Sequence, residues 1–274
     1  MTPQQLGARI HQNRTGLLIG GLIGAFSGGL FGLAFGAFIG YSLQRMMIGV
    51  KLGALSPQKV FFEATFVVMG KIAKADGLVS ESEIQYAREV MARMNLPESK
   101  RLQAMALFSQ GKEPDFDISP QVKSLARLIR HRSNLKQMFV EIQLQAAFAD
   151  GVVSQSELQV IQQVCSLLAI SYPELEAILR RCQAEHAYAD QTYQAHREGN
   201  PNNPRLLEQA YAVLGVSAKV GDSELKKAYR RLMNQHHPDK LIARGLPPEM
   251  QQIAKEKTQE IQGAYERVKR SRVA

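Results

Sequence analysis

The sequence SELKKAYRRLMNQHHPD, residues 223–239, specifies how the carboxy-terminal part of this 274-residue chain folds. Its less polar positions recur at helical spacing and form one stripe, Leu225, Ala228, Tyr229, Leu232, Met233 and His236. The opposite face carries four cations, Lys226, Lys227, Arg230 and Arg231. Pro238 cannot continue the helix and biases His237 away from the helical region. The stretch therefore predicts an amphipathic helix that ends at an exposed polar corner, His237-Pro238-Asp239.

A second helical pattern begins after the corner, at about Glu249. Its apolar stripe consists of Met250, Ile253, Ala254, Ile261, Ala264, Tyr265 and Val268. Gly263 weakens this helix by about 1 kcal/mol relative to alanine. Two helices with facing apolar stripes can pack as an antiparallel hairpin, which puts the polar corner at its tip.

Four sequence blocks, in this order, resemble the DnaJ-type J domain: YAVLGV at 211–216, LKKAYRRL at 225–232, HPD at 237–239 and EIQGAY at 260–265. Thr258 departs from the family pattern, which usually has an aromatic residue there. The resemblance implies a co-chaperone that binds a DnaK-type ATPase chaperone and triggers its ATP hydrolysis. It implies that the basic helix face docks on an acidic surface of the chaperone. Asp239 would engage a basic group of the partner, His237 would supply a hydrogen bond and Pro238 would fix the turn.

The composition suggests an acidic partner, because the net charge is +9 and the pI is about 9.6. The excess charge lies late in the chain, and no nucleic-acid recognition motif accompanies it, so we expect no nucleic-acid partner. Cys165 and Cys182 are the two cysteines, and neither belongs to a Cys-x-x-Cys pair. This usage favours a reducing compartment and gives no sign of a disulfide framework. We expect no cofactor.

Residues 16–43 carry no charged side chain, and this run is long enough to cross a bilayer as one helix. It follows a short amino-terminal tail, residues 1–15. A secretory signal peptide is the alternative, but the run exceeds a typical signal core and YSLQRM at 41–46 is a poor cleavage site. The sequence therefore predicts an uncleaved membrane anchor.

Glycines recur at every fourth position of this segment, at Gly16, Gly20, Gly24, Gly28, Gly32, Gly36 and Gly40. Because four residues advance a helix by slightly more than one turn, these glycines form a winding groove in which a second backbone can approach closely. The alternative is a glycine-rich span with no partner, since glycine is common in membrane helices. The unbroken register favours a homodimer formed through the transmembrane helix.

The orientation of the anchor is not decided by charge, because positive residues flank both ends in similar number. The J-domain resemblance implies access to an ATP-loaded chaperone in the cytosol. We therefore expect a single-pass protein of the bacterial inner membrane, with a periplasmic amino terminus and cytoplasmic carboxy-terminal domains.

Residues 56–196 have helical periodicity and contain an internal duplication, in which ADGLVSESEI at 75–84 recurs as ADGVVSQSEL at 149–158. Gly77 and Gly151 suit the left-handed conformation that closes a helix. The Ser-x-x-Glu pattern of both copies fits a capping box at the start of the next helix. The sequence predicts two related helix-turn-helix units.

The duplicated pattern resembles TerB-like domains, a helical family associated with tellurite resistance whose acidic residues have been linked to metal binding. Carried over by position, the metal candidates are Asp76, Glu83, Asp150 and Glu157. The alternating acids of an EF-hand calcium loop are absent here. Helix capping explains these residues better than a metal, so we predict no metal site.

The run EGNPNNP at 198–204 is the clearest linker, and we assign residues 197–204 to it and residues 205–274 to the J-like domain. The linker predicts a J-like domain tethered with some orientational freedom. The predicted fold class is all-α, with a transmembrane helix, a central TerB-like helical domain with an internal repeat, and a J-domain hairpin. This order is similar to the DjlA type of bacterial J proteins.

Two functions of different class follow. The first is a membrane-anchored co-chaperone that stimulates a DnaK-type ATPase. The alternative is a membrane-bound stress-sensing or signalling adaptor whose TerB-like domain binds a metal or a protein. We do not predict an enzyme, because the histidines are scattered and no catalytic constellation appears.

Overall fold

The architecture is a succession of helices, with no β-strand in the part of the chain described. The computed structural model describes residues 56–77, 81–149, 151–198 and 204–273, and the predicted all-α class is confirmed there. The amino-terminal tail and the predicted membrane span with its seven glycines lie outside these residues, as do Asp150 and the Glu83 side chain. Within the same ranges, no helix is both long and apolar enough to cross a bilayer.

The described part of the central domain contains seven helices: α1 Pro57–Ala73, α2 Glu81–Arg93, α3 Glu98–Gly111, α4 Ser119–Leu128, α5 Ser133–Ala147, α6 Gln155–Leu167 and α7 Tyr172–Glu198. Helix α1 is central, because it contacts α3, α4, α5 and α6 and most of its side chains are buried. Phe61 of α1 meets Phe139 of α5 edge to face, with ring centroids 5.3 Å apart. Helices α1 and α3 approach closely at Gly70 and Gly111, where a Cβ atom on either residue would overlap the backbone of the other helix.

The predicted duplication is visible in the backbone. Helices α2 and α6 have the same length and follow the same turn, in which Gly77 has φ +89° and Gly151 has φ +96°. Asn95 and Ala169, the second residue after Arg93 and Leu167 respectively, also have positive φ. The prediction that both glycines close a helix in the left-handed conformation is confirmed.

Four helices and one 3₁₀ turn form the carboxy-terminal domain: α8 Pro204–Val213, α9 Asp222–His236, α10 Pro238–Ala243, the 3₁₀ turn Pro248–Met250 and α11 Gln251–Val273. Helix α9 ends at the predicted residue, because His237 is extended and Pro238 occupies the first turn of α10. Tyr229 of α9 stacks on Tyr265 of α11, with ring centroids 4.2 Å apart. The polar corner therefore begins a further short helix.

The apolar stripe of α11 is divided between two cores. Its later residues, including Ile261 and Val268, pack with α8 and α9 in a core of the carboxy-terminal domain. Its earlier residues, including Ile253 and Ala254, join the core of the central domain together with Leu241 of α10. Residues Pro57–Ala274 consequently form one compact unit. The expected orientational freedom of the J-like domain is wrong for this structure, because the two domains share buried apolar surface.

Candidate chaperone-binding site

The basic face of α9 is exposed to solvent. Lys226, Lys227, Arg230 and Arg231 are all exposed, whereas Leu225 and Leu232 on the other side of the helix are buried. None of the four cations makes an ion pair or hydrogen bond with the rest of the described chain. Their charges are therefore available to an acidic partner.

The corner that follows α9 is only partly covered. His237 and Pro238 are half-buried and Asp239 is exposed. The Nδ1 atom of His237 is shielded from solvent and has no hydrogen-bond partner in this region of the structure. A carboxylate and an imidazole are thus held at the end of the basic helix, and the carboxylate faces solvent.

The corner lies between two anchor points on the central domain. On one side, His236 is 1% exposed, and its Nε2 atom lies 2.9 and 3.2 Å from the carboxylate oxygens of Glu141 in α5. On the other side, Leu241 is fully buried in the central core. Arg244, just beyond α10, donates through Nη1 to Asn134 Oδ1 at 2.8 Å. The four residues from His237 to Lys240 therefore connect two fixed positions.

Glu141 and His236 belong to a buried charge network that joins the two domains, formed by Glu141, Arg181, Glu185, His236 and Lys257. Arg181 of α7 donates to Glu141, and Lys257 of α11 donates to Glu185. The Lys257 Nζ atom also lies 3.8 Å from Glu141 Oε2. The side chain of Lys257 is only 3% exposed. Two carboxylates and three potential cations thus meet where α5, α7, α9 and α11 converge.

The charge states follow from this environment. Burial alone would raise the pKa of Glu141, but the neighbouring charges of His236, Arg181 and Lys257 hold it well below its ordinary value. Burial would lower the pKa of Lys257, but Glu185 and Glu141 raise it above its ordinary value. Glu141 is therefore a carboxylate and Lys257 an ammonium at neutral pH.

Two of the four candidate metal residues, Asp76 and Glu157, have side chains that the structure describes. Glu157 is buried and forms the predicted capping box with Ser154, since each side chain bonds the backbone N–H of the other residue. Asp76 is exposed in the turn after α1. In the described ranges, no three His, Cys, Asp or Glu side chains are grouped so as to hold a metal ion.

The buried network is not predicted from the sequence. Helical spacing places His236 on the apolar stripe of α9, but it does not identify the polar partner of the ring. Lys257 stands between Ala254 and Ile261 on the buried side of α11, and Glu141 stands among the buried residues of α5. A charged residue at a core position of a helical stripe is the signal that could have found both.

Comparison with known proteins agrees with this two-domain layout. The family described as tellurite resistance protein TerB matches residues 62–180, and the DnaJ domain family matches residues 209–272. A protein from Coxiella burnetii, named Co-chaperone protein DjlA, is 42% identical over 271 residues. The alignment covers 95% of this chain and 98% of that relative. The chain belongs to the DjlA co-chaperone family.

Other DjlA proteins show similar agreement. The DjlA of Shewanella oneidensis is 42% identical over 219 residues, which cover 80% of each chain. The DjlA of Photorhabdus laumondii is 40% identical over 267 residues, which cover 94% of this chain and 97% of the relative. No solved structure matches the chain at a significant level. The basic face of α9 and the corner after it lie within the segment that matches the DnaJ domain.

Proposed function

We propose that this DjlA-family chain is a membrane-anchored co-chaperone that binds a DnaK-type chaperone through its J domain and stimulates the ATPase activity of that chaperone. The observation that carries the proposal is the pairing of an exposed basic helix face with an exposed carboxylate, Asp239, at the end of the same helix. Both features lie in the J domain. The chain acts as a regulator, and ATP hydrolysis belongs to the partner.

The two parts of the site have different tasks. Lys226, Lys227, Arg230 and Arg231 attract and orient an acidic surface of the chaperone, which raises the association rate and fixes the register of docking. Asp239 pairs with a basic group of the bound chaperone. Pro238 holds the backbone turn, and His237 hydrogen-bonds within the complex. Binding and triggering are therefore separable by mutation.

The test is single-turnover ATP hydrolysis by a DnaK-type chaperone, with the full-length chain purified in detergent. We expect His237→Gln and Asp239→Asn to reduce the stimulation roughly 30-fold or more, because losing one partner of a charged interfacial hydrogen bond costs about 2–5 kcal/mol. The matched controls are His186→Gln and Asp190→Asn, two exposed side chains on α7 whose Nδ1 and Oδ2 atoms lie 3.3 Å apart. Equal stimulation by all five proteins would contradict the proposal.

The basic face is tested through its salt dependence. Exposed charges are screened over about 10 Å at 0.1 M ionic strength, so added salt should raise the concentration of co-chaperone needed for half-maximal stimulation. Replacing Lys226 and Arg230 by glutamine should weaken this dependence. A salt response unchanged by the double replacement would exclude the four cations as the docking surface.

The amino-terminal segment supports anchoring in the bacterial inner membrane. We propose that residues 16–43 span the membrane once, with the amino terminus in the periplasm and the two domains in the cytoplasm. The regular glycines support a homodimer through this helix. Replacing Gly24, Gly28 and Gly32 by leucine should abolish self-association in a membrane two-hybrid assay, and unchanged association would refute the dimer.

A further inference from the structure

The corner His237-Pro238-Asp239 is tied on its amino-terminal side to α5 of the central domain. Gln235 donates through Nε2 to Gln137 Oε1 at 2.9 Å, and the buried contact is that of His236 with Glu141. His236 ends α9 and immediately precedes the corner. Its Nδ1 atom lies 3.0 Å from the carbonyl oxygen of Leu232, and its Nε2 atom faces the Glu141 carboxylate. Both neighbours are hydrogen-bond acceptors. The ring satisfies both contacts only when both of its nitrogens carry hydrogen.

Glu141 is itself buried and paired with a second cation. It is 1% exposed, it accepts from Arg181 of α7, and it lies in the middle of α5, whose neighbouring residues are core. Its contact with His236 therefore sets the position of the last turn of α9 relative to α5. The contact joins residues that are far apart in sequence, so the J domain cannot make it alone.

The docked arrangement leaves the chaperone-binding features accessible. Asp239 and the four cations of α9 are exposed although His236 and Leu241 are buried in the domain interface. The interface therefore contacts the residues that flank the corner and leaves the Asp239 carboxylate uncovered. This favours a contact that positions the corner over one that blocks it.

We propose that Glu141 is a positioning residue, which orients the His237-Pro238-Asp239 corner through its hydrogen bonds to His236. The central domain is then a working part of the co-chaperone, because it sets the direction in which Asp239 is offered to the chaperone. This inference rests on the proposed function. A misplacement of a reacting or positioning group by about 1 Å can lower a rate on the order of 100-fold. Loss of the Glu141–His236 contact can therefore produce a measurable fall in stimulated ATP hydrolysis.

The experiment compares Glu141→Gln with the original full-length chain in detergent, using single-turnover ATP hydrolysis by a DnaK-type chaperone at increasing co-chaperone concentration. We expect the maximal stimulation to fall about tenfold. The half-saturating concentration should change less than about twofold, because the exposed cations of α9 still dock. A simple loss of folded protein would do the reverse, since a smaller active fraction raises the half-saturating concentration and leaves the maximum unchanged.

Two further variants keep the result interpretable. Glu256→Gln is the matched control, because Glu256 also bridges the two domains, through a 3.3 Å contact with Arg93, without touching His236. It should behave like the original chain. His236→Gln removes the ring but leaves Glu141 paired with Arg181, so it carries the test if Glu141→Gln does not fold. The double variant of Glu141 and His236 should lose no more maximal stimulation than either single variant, because both act through one contact.

The outcomes separate the two proposals. If the original chain stimulates and Asp239→Asn does not, the proposed function stands. In that case, an equal or higher maximum for Glu141→Gln or His236→Gln overturns the positioning role, as does additive loss in the double variant. If the original chain and Asp239→Asn give the same rate, the proposed function itself fails.

Discussion

Replacing Lys257 by methionine tests whether the buried charge network holds the two domains together. The Lys257 ammonium donates to Glu185 and lies 3.8 Å from Glu141 Oε2, at a position that is only 3% exposed. After the replacement, the only cation facing Glu185 within the described network is Arg181, whose Nε atom lies 3.8 Å from Glu185 Oε1. A buried carboxylate has then lost its hydrogen-bonded cation.

The magnitude follows from this geometry. Breaking a buried ion pair by removing one partner costs about 3–5 kcal/mol. The apolar side chain of methionine offsets roughly 1 kcal/mol of this loss by burying more hydrocarbon. We expect the free energy of unfolding to fall by about 2–4 kcal/mol, and the melting temperature by roughly 5–15 °C for a unit of this size. Because the pKa of Lys257 is raised in the folded chain, its full contribution to the free energy of unfolding is present below its ordinary pKa. This contribution is lost only at higher, strongly alkaline pH.

The assay is thermal and urea denaturation of the full-length chain in detergent at pH 7. Lys255→Met is the matched control, because Lys255 is exposed on the same helix, and it should change stability by no more than about 0.5 kcal/mol. Combining Lys257→Met with Glu185→Leu should recover most of the loss, because a buried pair can be replaced by apolar side chains at little cost. Equal stability of the Lys257→Met and Lys255→Met chains would show that the buried charge network does not hold the two domains together.

Three other predictions concern stability and chemistry. Gly70→Ala should destabilise the chain by about 1–3 kcal/mol, because its Cβ atom would overlap the backbone of α3. Gly263→Ala, on an open helix surface, should stabilise the chain by about 0.5–1 kcal/mol. Thermal denaturation compares the two variants, and equal effects would contradict the close approach of α1 and α3. Because the pKa of Glu141 is lowered in the folded chain, its carboxylate stabilises the fold above the ordinary pKa, and this stabilisation is lost as pH falls. Between about pH 5 and pH 3, the free energy of unfolding of the original chain should therefore fall by up to about 1.4 kcal/mol per pH unit more than that of Glu141→Gln. Urea titrations at each pH measure this difference, and parallel curves for the two chains would argue against the network. Burial raises the pKa of the Cys165 thiol to about 12 and that of the Cys182 thiol further. Iodoacetamide should therefore label both thiols only after denaturation, as measured by mass spectrometry. Rapid labelling of the native chain at pH 7.5 would show that the interior opens.

Local features of the fold could be predicted from the sequence because their causes are local. The proline at 238 ends α9, and the stripe from Leu225 to His236 faces inward, as its helical spacing indicates. Gly77 and Gly151 take the left-handed conformation, and Ser154 caps α6 with Glu157. Each of these depends on residues only a few positions apart.

The docking of the J domain could not be predicted in the same way. Periodicity shows that Ile253 and Ala254 are buried, but it does not say which helix covers them, and their neighbours belong to the central domain. The linker composition suggested free movement, because nothing in residues 197–204 reports on contacts made elsewhere in the chain. For the same reason, the sequence predicts the exposed part of the site, the basic face and the corner, but not the buried charge network beneath it.

The helices, the duplicated turns, the basic face of α9 and the turn at Pro238 follow from local sequence, since backbone preference and side-chain spacing act over one or two helical turns. The meeting of His236, Lys257 and Glu141 in the interior depends instead on long-range packing, which no local pattern specifies. A buried charge is tolerated only where opposite charges converge on it, and that convergence is set by the packing of four helices from two domains.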